Sequence, residues 1–260
     1  HERTGRDELE HELETVSDVQ RDLLPKRLPD IPGVKTAAYY ETSRYAGGDY
    51  YDVLKMSDSE LGFLVADAEG HSTPAAVRMA MTCTLFRAYP GLPVQPDDVL
   101  TYVNEHLCKV VGNSFITAVY GVYNLENQTL RVTTAGHSPP LLYRPSDGKT
   151  TEVACEGTYV MGFQPYDDVP VSEVKLQAGD RLLFYTDGPT ERFSPEKEMY
   201  GVERLGRQLS QDYGGDPKEI LDGIVKDVDA FAGGLPASDD QTLVLFIVDE
   251  PENIPPLCIE

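Results

Sequence analysis

The chain has 260 residues, 40% of them hydrophobic, enough for one large domain or two small ones with a sizeable core. Acidic residues outnumber basic ones 44 to 22, and the formal charge of -22 makes nucleic acid and anionic membrane surfaces poor partners. Cys83, Cys108, Cys155 and Cys258 are scattered, with no C-x-x-C and no zinc-type Cys/His spacing, so a reducing cytoplasm is the expected setting.

No apolar run approaches the roughly 18 residues of a membrane span, and the start at His1 is charged rather than signal-like. Residues 7 to 24, "DELEHELETVSDVQRDLL", place Leu9, Leu13, Val16 and Leu23 at alternating four- and three-residue steps, with Gln20 filling the missing seam position. That pattern predicts a short amphipathic helix ended by Pro25, and its two heptads fit either packing on its own domain or pairing two subunits. The expected division is a linker or dimerisation helix over 1–24, one folded domain over 25–250 and a proline-containing tail over 251–260.

After "PKRLPDIPG" come three strand signals, 34–41, 50–56 and 61–67, separated by short turn-prone pieces that suit antiparallel hairpins. Tyr50 and Tyr51 are expected to alternate between core and surface. Thr73 and Pro74 open a helix to about Tyr89, and a second is expected from Asp97 to Val111, with Val99, Val103, Leu107 and Val110 on one face. Strand signals resume in "SFITAVYGVYN", "TLRVTTAG", "PPLLYR", "TTEVA", "VPVSEVKL" and "DRLLFYTD", helices return near 201–212 and 216–231, and "TLVLFIVDE" is the last strand. Strand runs alternating with helix pairs indicate an α+β layered domain with mostly antiparallel sheets.

Asp49 precedes a strand, Asp67 and Asp187 end the apolar runs "FLVAD" and "LLFYTD", and Asp239 or Asp240 precedes "TLVLF". Antiparallel pairing sets the end of one strand beside the start of the next, so four acids from distant parts of the chain are expected along one sheet edge. Two carboxylates about 4 Å apart repel by roughly 4 kcal/mol at an effective dielectric near 20, and a divalent cation is the natural remedy. Oxygen donors without Cys or His favour Mg²⁺ or Mn²⁺, and several carboxylates in one cleft can hold a pair of ions that activates a water toward a phosphate ester. Gly47, Gly48, Gly70 and Gly188 would leave room for backbone and water near such ions; each motif alone reads first as an Asp in a turn, and it is the four together at matching strand ends that favour the metal reading.

The ordered motifs "AGGDYYDV", "VADAEGHS", "TTAGHSPPLLYR", "LQAGDRLLFYTDGPTE" and "ASDDQTLVLF" resemble the metal-dependent protein serine/threonine phosphatases, the PPM family, in its bacterial SpoIIE/RsbU-like branch. The resemblance runs from about Leu23 to Val248. It implies a four-layer αββα sandwich preceded by a linker helix, with two Mn²⁺ or Mg²⁺ ions in a cleft at one end. Carried over by position, Asp49 would bridge the ions, Asp67 and the Ala68 backbone carbonyl would serve one, and Asp187 with Asp239, in preference to Asp240, would complete the other.

Eukaryotic members place a His directly after their second motif's Asp-Gly, whereas here Ala68 and Glu69 follow Asp67 and His71 is the nearest candidate general acid. Arg44 stands five residues before Asp49, the distance of a phosphate-holding Arg in those members. His71 and His137, each after a glycine in a turn, also suit hydrogen-bonded structural roles, and Glu191 could lie behind the ions or in solvent. The implied substrate is a phosphorylated anti-sigma-factor antagonist of the STAS type, with a sensor or receiver module upstream. The competing expectation is a catalytically silent signalling domain of the same fold that binds a partner.

Overall fold

The computed structural model describes residues 2–70, 73–91 and 94–249, with backbone alone for 2–12. Ten strands form two five-stranded antiparallel sheets. The first sheet runs β1 (Val34–Glu41), β10 (Gln241–Val248), β9 (Arg181–Tyr185), β6 (Leu141–Arg144), β7 (Lys149–Glu152). The second runs β2 (Asp49–Lys55), β3 (Glu60–Ala68), β4 (Ile116–Asn124), β5 (Thr129–Ala135), β8 (Ser172–Lys175).

The sheets meet face to face over an apolar layer in which Phe63 of β3 stacks on Phe184 of β9 and Phe246 of β10, with ring centroids 5.5 and 4.9 Å away. Every residue of β10 is buried. Its Val244, Phe246 and Val248 face the other sheet, while Leu243, Leu245 and Ile247 pack under α5 (Val202–Leu209) and α6 (Pro217–Ala232). Period-2 alternation therefore separates two cores rather than core from water. The outer face of the second sheet carries α2 (Thr73–Arg87) and α3 (Pro96–Leu107).

Local chemistry sets the helix ends. Asp216 caps α6 by accepting from the Lys218 and Glu219 amides, Pro217 occupies the first turn, and Gly233 closes the helix in the left-handed region. The α3 helix stops at Leu107 rather than Val111, and Val110, expected on its inner face, is 57% exposed. Beyond Leu107 the chain tightens into turns whose Val110 and Val111 amides both bond the Leu107 carbonyl. The helix expected over 7–24 is α1, Glu2–Leu23. Among the described residues no helix is long and apolar enough to cross a membrane.

Tyr50 and Tyr51 do not alternate between core and surface. Both are buried, because β2 is covered on both faces: Tyr51 packs near Tyr40, and the Tyr50 hydroxyl donates to buried Asp52, which also takes a 2.8 Å bond from Arg87 of α2.

Candidate metal centre

The acids gather at one end of the sandwich, but not along a single sheet edge. Asp49 and Asp67 are register partners at the ends of β2 and β3 in one sheet. Asp187 opens α4 (Asp187–Thr190) directly after β9, and Asp239 precedes β10, so these two come from the other sheet. The centre thus spans the seam between sheets.

Asp49 is almost fully buried, and its Oδ2 accepts from the Thr186 and Thr242 hydroxyls at 2.7 and 2.6 Å. Both threonines come from the opposite sheet, and the Thr186 oxygen also accepts the Thr242 amide at 3.1 Å. Burial first, then the charges of Asp67 and Asp240, raise the Asp49 carboxyl well above its ordinary value, while the two threonine bonds oppose the rise. Asp67 is pushed up to about 8 by burial and by the charges of Asp187, Asp239 and Asp240. Asp187 rises to about 6 through burial, then Glu191 and Asp239. These carboxylates feel one another strongly and have no cationic side chain among the causes of their shifts.

Gly48 lets the backbone run close to a cluster of oxygens. A Cβ there would lie 2.2 Å from the Ala68 carbonyl oxygen, 2.9 Å from that of Gly70 and 3.1 Å from Asp67 Oδ1. Three hard oxygens of different origin therefore converge on a space that any other residue would fill. Among the described residues no three His, Cys, Asp or Glu side chains stand close enough to enclose an ion by themselves. Mg²⁺ in particular keeps several waters and is bound through only one or two carboxylates, so a closed cage of side chains is not required. The donor chemistry fits a hard divalent cation.

Asp240 has another task. Its Oδ1 accepts from the Ser43 amide and its Oδ2 from the Gly48 amide, both at 2.8 Å, which fixes the 43–48 loop. Asp239 Oδ1 accepts the Asp240 amide at 2.9 Å. From the other side the buried amide of Gln20 donates to the Gly47 carbonyl at 2.6 Å and accepts the Gly47 amide at 3.0 Å, so α1 is tied to the same loop. Seam spacing had marked Gln20 only as a gap-filler. Thr186 and Thr242, absent from the expected set, could have been found one residue before Asp187 and two after Asp240.

Arg44 is exposed and makes no ion pair among the described residues. It lines a groove of about 810 Å³ between α1 and the 42–46 loop, shared with Arg21 and Tyr45. His71 lies outside the described residues. His137 is half-buried, its Nε2 lying 2.9 Å from the Tyr185 carbonyl and its Nδ1 2.8 Å from the Thr117 hydroxyl, and desolvation of the ring lowers it to about 4. It is a neutral tie between β4 and the end of β9, donating to the carbonyl and accepting from the hydroxyl.

A two-sheet sandwich with helix pairs outside and carboxylates from both sheets at one end defines the PPM, or PP2C, class of protein serine/threonine phosphatase, whose members are metal-dependent. The fold overlays the SiaA-PP2C domain of Pseudomonas aeruginosa with a TM-score of 0.83 at 21% identity, covering 95% of this chain and 98% of that one. The family described as Stage II sporulation protein E (SpoIIE) matches residues 57–249, and the chain belongs to that family. Phosphoserine phosphatase RsbU of Bacillus subtilis is 29% identical over 185 residues, 71% of this chain and 55% of that protein. Protein IcfG of Synechocystis sp. is 27% identical over 261 residues, 90% of this chain and 41% of that protein. The chain thus spans about half the length of these curated relatives.

Proposed function

We propose that the chain removes phosphate from serine or threonine of a regulatory protein, with Asp49, Asp67, the Ala68 carbonyl, Asp187 and Asp239 holding two Mn²⁺ or Mg²⁺ ions. The carrying observation is the oxygen cradle at Gly48, set beside carboxylates that both sheets deliver to one end. Bound there, such ions would supply charge neutralisation for the phosphate and a water of lowered pKa. The protein's own groups prepare the site. Thr186 and Thr242 fix which oxygen of Asp49 faces away, and Asp240 and Gln20 hold the glycine loop in place.

Arg44, which makes no ion pair among the described residues, places a guanidinium in the neighbouring groove, suited to meet an anionic substrate. Burial raises the Cys83 and Cys155 thiols above the ordinary thiol range, which disfavours either as a nucleophile. Kinship to RsbU supports a phosphorylated STAS-type anti-sigma-factor antagonist as the substrate. Pairing of two subunits through residues 7–24 is a separate reading, and equal monomer masses by light scattering with and without residues 1–24 would remove it.

The activity is tested with an aryl phosphate. Hydrolysis should require Mn²⁺ or Mg²⁺, stop with chelator, and fall at least a hundredfold in Asp187→Asn. A wild-type protein inert on aryl phosphate and phosphoprotein alike would leave a partner-binding domain of the same fold.

A further inference from the structure

The metal end of the sandwich carries an apolar rim. Phe163 is 75% exposed, Val110 57%, Tyr159 38% and Phe115 37%. They lie on two adjoining segments: a Cβ on Gly162 would meet Val111 Cγ2 at 2.5 Å and the Ser114 carbonyl at 3.3 Å. Scattered apolar side chains are normal on a surface, whereas a cluster on one face marks a contact site.

The exposure of Phe163 is built in. Asn104 of α3, with no solvent exposure, accepts the Gly162 amide and donates to the Gln164 carbonyl, both at 2.8 Å, gripping the chain on either side of Phe163. Gly162 has φ +89°, which a side-chain-bearing residue would resist. The Tyr159 hydroxyl donates to the Pro165 carbonyl and the Tyr166 hydroxyl to the Tyr159 carbonyl, closing the loop on itself. A fully buried polar side chain and a glycine at positive φ thus hold a phenyl ring in water.

The rim is continuous with the metal centre. Met161 and Ile116 exchange both backbone bonds, Ile116 pairs with Ala68 in β3, and the Phe115 carbonyl accepts the Glu69 amide at 3.1 Å. At about 4.8 Å per strand spacing, Phe163 stands on the order of 15 Å from the Ala68 carbonyl, within reach of the body of a protein whose phosphoserine enters the cleft.

We propose that Val110, Phe115, Tyr159 and Phe163 form the docking surface for the phosphoprotein substrate, seating an apolar patch next to its phosphoserine. The inference rests on the phosphatase reading above. Electrostatics favours an apolar anchor: a chain of charge -22 repels an anionic phosphoprotein at long range, and rigid aromatic side chains carry much of the affinity in such contacts.

The test compares a serine-phosphorylated STAS-domain antagonist with p-nitrophenyl phosphate. Phe163→Ala and Val110→Ser should each lower kcat/KM on the phosphoprotein about tenfold, mainly through KM, and leave aryl phosphate turnover unchanged. Phe163→Leu should keep most of the wild-type value, and added salt should lower KM by screening the repulsion. A phosphoprotein kcat/KM within twofold of wild type in Phe163→Ala, or aryl phosphate turnover falling in parallel, overturns the proposal. Wild-type protein active on aryl phosphate but not on the phosphoprotein refutes docking of this partner while the phosphatase stands; inactivity on both refutes the phosphatase reading, and docking falls with it.

Discussion

Replacing Thr186 or Thr242 by valine isolates the hydroxyl contribution to the buried Asp49 carboxylate, because valine keeps the shape and loses the donor. The Thr242→Val change removes one 2.6 Å bond to Asp49 Oδ2. A hydrogen bond to a charged group contributes about 1.5–3 kcal/mol, so a loss of about 2 kcal/mol is expected. The Thr186→Val change removes the 2.7 Å bond and also orphans the buried Thr242 amide, which donates to the same hydroxyl. An unsatisfied buried donor adds about 1–3 kcal/mol, bringing the expected loss to about 3–5 kcal/mol. Urea unfolding at about pH 8 with Mn²⁺ present, at unchanged slope, measures both. Both threonine bonds favour the ionised carboxyl, so either variant should also bind Mn²⁺ more weakly, and more so at lower pH. A Thr242→Val loss larger than that of Thr186→Val, or losses below about 0.5 kcal/mol in both, would refute the hydrogen-bond assignment.

Gly48→Ala would place a methyl 2.2 Å from a backbone oxygen, which can yield only by moving β3; we expect about 1–3 kcal/mol lower stability and weaker Mn²⁺ binding by calorimetry, and an unchanged Mn²⁺ affinity would dismiss the cradle. Asp67 and Asp187 are raised from 3.8 to about 8 and about 6 in the folded protein. The unfolded chain releases these protons first, so metal-free protein should lose stability as pH rises from about 4 to about 8. The melting-temperature gap between Mn²⁺ and chelator should therefore widen across that range, and a gap that narrows would contradict the shared repulsion. Gln20→Leu leaves the Gly47 amide and carbonyl without their partner, an expected cost of about 2–3 kcal/mol in urea unfolding; a cost near zero would show that α1 does not brace the loop.

Most strands were legible because alternation and turn residues both marked them: β1 stands at 34–41 as expected, and β3 differs by one residue at each end. The acids could be selected since Asp67 and Asp187 close apolar runs while Asp49 and Asp239 or Asp240 stand just before strands. Which sheet each strand joins was not legible, as pairing β1 with β10 is a long-range choice that local pattern does not encode. Hence the centre was expected along one edge and lies across two sheets. Val110 was misplaced because helical spacing persists past Leu107 while the backbone tightens there. Gln20 carried a polar side chain in an apolar seam, and its partner, a backbone glycine 27 residues away, leaves no trace in spacing.

The threonine bridges to Asp49 join parts of the chain 137 and 193 residues apart. Each sheet contributes only part of the candidate ligand set, Asp49 and Asp67 from one and Asp187 and Asp239 from the other, so the set exists only while the two sheets stay packed. An ion bound at that junction would act as a rivet between them, making occupancy and assembly two readings of one equilibrium.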